Sequence, residues 1–175
     1  MNLDEEINLV IIKPREQLPA IFNSCRKFDF DSMEHHPADI SNILQLMCFE
    51  TKAMGLAAPQ LNYDYNVFYI RGFGDTACFN PKIVDSSEDE DIAEETTASI
   101  PGLIVKIKRP THIRVRWTNV NGETDTHVYT GLTSRVFQRK MDYLNGIKLL
   151  DRANFMHRDN AIKNYYKSTS GLILK

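Results

Sequence analysis

Asn119-Val120-Asn121-Gly122 separates two runs of alternating character, Ile113-Arg114-Val115-Arg116-Trp117 and Thr126-His127-Val128-Tyr129. An Asn-Gly pair between such runs is a strong signal for a tight turn, because both residues tolerate the backbone angles it needs. Residues 111–130 therefore read as a β-hairpin. Directly after it the period changes. Gly131 to Asn145 has helical spacing, with Leu132, Val136, Met141 and Leu144 as core candidates and Gly146 as the stop. Strands feeding into one helix, with further strands upstream, predict an α+β chain.

The upstream segments fit this reading. Ile7, Leu9, Val10, Ile11 and Ile12 form an apolar run that ends at Pro14 and predicts a strand over 7–12. The mixed segment 15–36 supplies Phe22, Phe28 and Phe30 for packing. A helix starts at His36-Pro37, where the missing proline N–H does no harm, and carries Ile40, Ile43, Leu44 and Met47 on one stripe before ending ahead of Gly55. Short strands are expected at 67–70 and 77–81. Residues 85–95 hold seven acidic side chains and read as a solvated loop. A short helix near 160–167 and a polar tail complete the chain. Residues 1–157 are expected to form one domain, and 158–175 a C-terminal helix and tail.

The chain has 175 residues, enough for a sizeable core in one domain. A net charge of −2 gives no electrostatic reason to expect nucleic acid. No apolar run approaches membrane-spanning length, and the acidic N-terminus is unlike a secretory signal. Cys25, Cys48 and Cys78 are too few and too scattered for a disulfide framework, which fits a reducing compartment. Cys48 and Cys78 are expected to be buried. The five histidines do not pair at helical ligand spacing and are assigned to loops or the surface.

Three further stretches carry most of the functional information: Gly55-Leu56-Ala57-Ala58-Pro59-Gln60, Glu95-Thr96-Thr97-Ala98-Ser99-Ile100-Pro101-Gly102, and Gln138-Arg139-Lys140-Met141-Asp142-Tyr143-Leu144-Asn145-Gly146. Their order, spacing and flanks closely resemble the peptide deformylases, whose motifs run G-φ-G-φ-A-A-P-Q, E-G-C-L-S-x-P-G and Q-H-E-x-D-H-L-x-G. The resemblance covers roughly residues 37–152. It implies antiparallel β-sheets packed around a central helix at about 131–145.

The resemblance also locates the family's metal centre, made of one Cys and two His one helical turn apart, with a Glu as acid/base. Those positions are here Thr97, Arg139, Tyr143 and Lys140, respectively. Arginine has no lone pair to donate, tyrosine binds only as phenolate, and threonine offers a hydroxyl for a thiolate. Two adjacent cations would also repel a divalent ion. Gly55, Gln60 and Ala98 are the expected cleft residues. The loop from Glu50 to Gly55 is shorter than the family's, which should reshape the cleft.

Several local expectations follow. Glu95 and Arg135 match family positions that can pair and brace the second motif against the helix. Tyr143 should keep its ring in the former metal pocket, with its hydroxyl bonded to a neighbour. Arg139 is expected to fill the vacated cavity and pair with an acidic side chain while Lys140 reaches solvent. The alternative is an anion site made by Arg139, Lys140 and Gln60.

On these grounds the sequence predicts a catalytically inactive protein on a deformylase scaffold, with no metal and no cofactor. It would serve as a structural subunit of a larger assembly, a bacteriophage particle included. A binding module for peptides or N-termini in the old cleft is the alternative, and a metal-free enzyme with new chemistry a more distant one. The partners expected are proteins, within an assembly, with neither nucleic acid nor membrane. The location expected is the cytoplasm, or a virion if the gene is a phage's.

Overall fold

The computed structural model describes residues 8–16, 25–32, 34–72 and 76–170. Helix α1 (Pro37–Glu50) opens with His36, whose Nδ1 accepts from the Ala38 N–H at 3.2 Å. Its Ile40, Ile43, Leu44, Met47 and Cys48 are buried on one side, as the stripe predicts. Next come β1 (Gly55–Ala57), a 3₁₀ turn (Ala58–Leu61), β2 (Val67–Ile70), β3 (Thr76–Ser86), β4 (Glu90–Thr97), β5 (Ile100–Pro110), β6 (His112–Thr118) and β7 (Thr124–Thr130). Helices α2 (Gly131–Leu144), α3 (Leu149–Arg152) and α4 (Phe155–Ser170) follow.

A five-stranded antiparallel sheet runs in the order β1-β2-β3-β6-β7, and β4 and β5 form a separate antiparallel ribbon. Strands β6 and β7 are the expected hairpin. Asn119 Oδ1 accepts from the N–H groups of Asn121 and Glu123, both at 3.0 Å, and Gly122 takes φ 83° at the bend. Ile113, Val115 and Trp117 of β6 alternate inward. They meet Val136, Phe137 and Tyr143 of α2, while Leu44 and Met47 of α1 share another cluster with Leu56, Val67 and Phe79. Leu103, Val105 and Ile107 of β5 form the third cluster, with Ile12, Leu149, Leu150 and Ala161. Helix α2 thus lies between the five-stranded sheet and the ribbon.

Several expectations need correction. The acidic segment 85–95 is not a loop, because it ends β3 and supplies most of β4. Its charges are answered across the ribbon: Glu94 lies opposite Lys106 and Asp91 opposite Arg109, and Lys108 pairs with Glu90. Opposite charges facing one another favour the ladder. Residues 8–12 are not assigned to a strand, although Val10 N–H donates to Gln60 O and Ile12 N–H to Ser99 O. Ile7, Phe22 and the tail from 171 lie outside the described residues. Leu132 is 59% exposed, since it sits in the first turn of α2 beyond the sheet. Helix α4 begins at Phe155, earlier than expected, and runs through the boundary placed at 157; its Ala161 packs on the third cluster. Among the described residues no helix is long and apolar enough to cross a membrane.

Candidate functional site

The site forms where three chain segments meet one face of α2. β1 is brought close to the helix by Gly55: a Cβ there would lie 2.7 Å from Tyr69 O and 3.2 Å from Val136 Cγ1. Only glycine fits that approach. The 3₁₀ turn that follows delivers Gln60, which is fully buried. Its Oε1 accepts from Ala57 N–H at 3.1 Å and from Lys140 Nζ at 2.8 Å, and its Nε2 donates to Ser99 Oγ at 2.9 Å. Two donors on one side and a hydroxyl on the other fix the orientation of the amide. Gln60 thereby ties the first, second and third motifs together.

Thr97 ends β4, and its hydroxyl lies 2.6 Å from that of Tyr143, both groups being buried. The bonded tyrosine hydroxyl agrees with the expectation. Burial pushes the Tyr143 phenol above its ordinary pKa, with the Thr97 hydrogen bond acting in the opposite sense. The phenol is therefore held neutral. Ala98 follows on the turn into β5, and Gly102, near the start of that strand, takes φ 83°.

Lys140 and Arg139 both depart from the expectations. Lys140 does not reach solvent: it is 1% exposed, with Nζ 5.2 Å from the Tyr143 ring centroid. Burial, and next the positive charge of Arg139, push its amine well below the usual lysine value. Burial thus favours the neutral form of this amine over the charged one. Among the described residues Arg139 makes no ion pair. Its carboxylate neighbours, Glu95 and Asp142, are engaged elsewhere, and its Nε is closed off from solvent with no hydrogen-bond partner among the described residues.

Those carboxylates belong to a buried ionic chain. Glu95 accepts from Arg109 Nε at 2.7 Å, from Arg109 Nη2 at 3.0 Å and from Arg135 Nη1 at 2.9 Å. The expected Glu95–Arg135 pair is therefore present. Arg135 also binds Asp91 and the carbonyl of Ile107, so it holds both strands of the ribbon to α2. Arg109 continues to Asp142 at 2.9 Å, and Asp142 to Arg152. Burial alone would lower the pKa of Arg109, but its bonds to Glu95 and Asp142 raise it above the ordinary value. Sequence reading missed Arg109, because the strand register that aligns it leaves no local signal, and gave Asp142 of the third motif no role.

The cleft above this floor has a volume of about 440 Å³. Leu9, Ile11, Met54, Ala98 and Pro101 line its walls, and Thr97, Arg139 and Lys140 lie at its polar end. Such a size and mixture suit a peptide side chain or a small acyl group. The positions that the deformylase pattern assigns to metal hold a hydroxyl and a phenol bonded to each other and an unpaired guanidinium. As arranged, this set does not fit a divalent ion.

The family model for polypeptide deformylase matches residues 10–159. A relative named peptide deformylase from Thermotoga petrophila is 36% identical over 127 residues, 72% of this chain and 74% of its own. Another of that name from Thermotoga neapolitana is 37% identical over 114 residues, 65% of this chain and 69% of its own. The solved peptide deformylase from Thermotoga maritima superposes with a TM-score of 0.75 at 26% identity, covering 85% of this chain and 97% of that one. These findings correct the functional expectation. The expectations concerned are those of a catalytically inactive structural subunit, a virion component, no enzyme and a protein without metal. Relatives named for an enzyme activity, matched over most of the chain, contradict them. The chain belongs to the polypeptide deformylase family.

Proposed function

We propose that the protein hydrolyses an amide at the N-terminal end of a peptide, the class of reaction that the names of its relatives denote. The observation that supports this best is the cleft itself. Gly55, Gln60, Ala98 and Gly102 bring apolar walls and a fixed polar floor together, with room for an acyl group. In that floor the group with the chemistry of a base is Lys140. A neutral amine takes a proton from an attacking water and returns it to the leaving amine. Gln60 positions that amine from Oε1, and the Thr97–Tyr143 hydroxyl pair closes the floor beside it.

The test is formate release from formyl-Met-Ala-Ser, followed by a coupled assay on the purified protein and on Lys140→Met. Release by the wild type, lost in a folded Lys140→Met variant, is the result expected. Tight binding of the peptide without formate release would overturn the hydrolytic reading. Turnover that appears only after a divalent ion is added would overturn the assignment of Lys140 as the base.

A further inference from the structure

Arg139 lines the cleft, its Nε is enclosed without a hydrogen-bond partner, and no ion pair reaches it from the described residues. The nearby carboxylates favour its charge from a distance but make no direct pair with it. Glu95 is shared by Arg109 and Arg135, and Asp142 by Arg109 and Arg152. A guanidinium stays charged in any protein environment, and a cation left unpaired in an enclosed site is costly. The side chain beside it, Lys140, is another basic group and adds no compensation. An anion that enters through the cleft would give this guanidinium a direct charged partner.

We propose that Arg139 binds a carboxylate carried by the ligand, so that the cleft prefers a peptide whose N-terminal acyl group ends in a carboxylate over one with a neutral cap. This deepens the reading of the cleft as a peptide N-terminus site and rests on it. A carboxylate is chosen because the planar fork of arginine matches its two oxygens. The apolar walls from Leu9, Ile11, Met54 and Pro101 suit the short carbon chain leading to it.

The experiment compares two probes by calorimetry, N-succinyl-Met-Ala amide and N-acetyl-Met-Ala amide, which differ by the terminal carboxylate and its short linker. The wild type should bind the succinyl probe at least about tenfold more tightly, as charge-assisted hydrogen bonds imply. Arg139→Met should abolish that preference, and Arg139→Lys should retain part of it. Removing an unpaired cation should leave the thermal midpoint of Arg139→Met no lower than that of the wild type, which confirms that the variant is folded. Equal affinity for the two probes, or a preference that survives in Arg139→Met, would overturn the proposal while leaving the peptide reading intact. If neither peptide binds, succinate alone is the third probe. Its binding, lost in Arg139→Met, would keep the carboxylate site and remove the peptide; its failure to bind would overturn both.

Discussion

Replacing Glu95 by alanine should be the most damaging single change to the site's framework. Its carboxylate accepts three bonds from two arginines whose side chains are 4% and 8% exposed. After truncation Arg109 retains Asp142, and Arg135 retains Asp91 and the Ile107 carbonyl. Each guanidinium therefore loses about half of its partners without gaining water. Breaking a buried pair from one side costs about 3–5 kcal/mol. For a chain of 175 residues, each kcal/mol moves the thermal midpoint by about 2–4 °C, so Glu95→Ala should melt roughly 6–20 °C lower. Glu95→Gln keeps an acceptor oxygen and most of the volume, and should lose less. Differential scanning calorimetry on the three proteins, with urea titration as a second measure, gives the comparison. A Glu95→Ala midpoint within about 2 °C of the wild type would refute the claim that this chain of charges holds the ribbon to α2.

Gly55→Ala should destabilise the protein by about 1–3 kcal/mol, because the new methyl meets a backbone carbonyl that cannot turn aside; equilibrium unfolding measures it. Thr97→Val and Tyr143→Phe should each destabilise, and a double-mutant cycle should return a coupling of about 0.5–1.5 kcal/mol, the net worth of one buried hydrogen bond. Lys140 gives a pH signature. Its folded-state pKa lies below the unfolded value of about 10.4, so the unfolded chain binds the extra proton and stability must rise with pH across that interval. Relative to Lys140→Met, the wild type should gain stability as pH rises from its depressed folded-state pKa toward the unfolded value, at up to about 1.4 kcal/mol per pH unit. Urea midpoints for both proteins at two pH values settle this, and a constant difference would show that the amine is already charged in the fold.

Much of the frame was legible because its signals are local. The Asn-Gly turn, the proline at the start of α1 and the apolar period of α2 each reside in a few consecutive residues. β4 was misread because what makes it a strand lies elsewhere: its acidic residues find Lys106, Lys108 and Arg109 across the ribbon. β5 itself did carry a readable sign, the alternation of Leu103, Val105 and Ile107, masked by Pro101 and Gly102 at its start. In the site, the Glu95–Arg135 pair and the bonded Tyr143 hydroxyl could be placed from motif positions. The burial of Lys140 could not. Neighbours on a helix point about 100° apart, so only the position of Gln60 decides which of the two turns inward.

A two-stranded ribbon leaves each strand with one edge free of ladder partners, a template onto which a strand of another molecule could add. Here that template is defended. β4 exposes Glu90, Asp91 and Glu94, and β5 exposes Lys106 and Lys108. A second copy joining β4 to β4 would set acid against acid, and one joining β5 to β5 would set base against base. At the larger sheet, β1 is only three residues long and offers little to extend. The charges that let an acidic segment fold as a strand thus also work between molecules, opposing edge-to-edge growth through the ribbon.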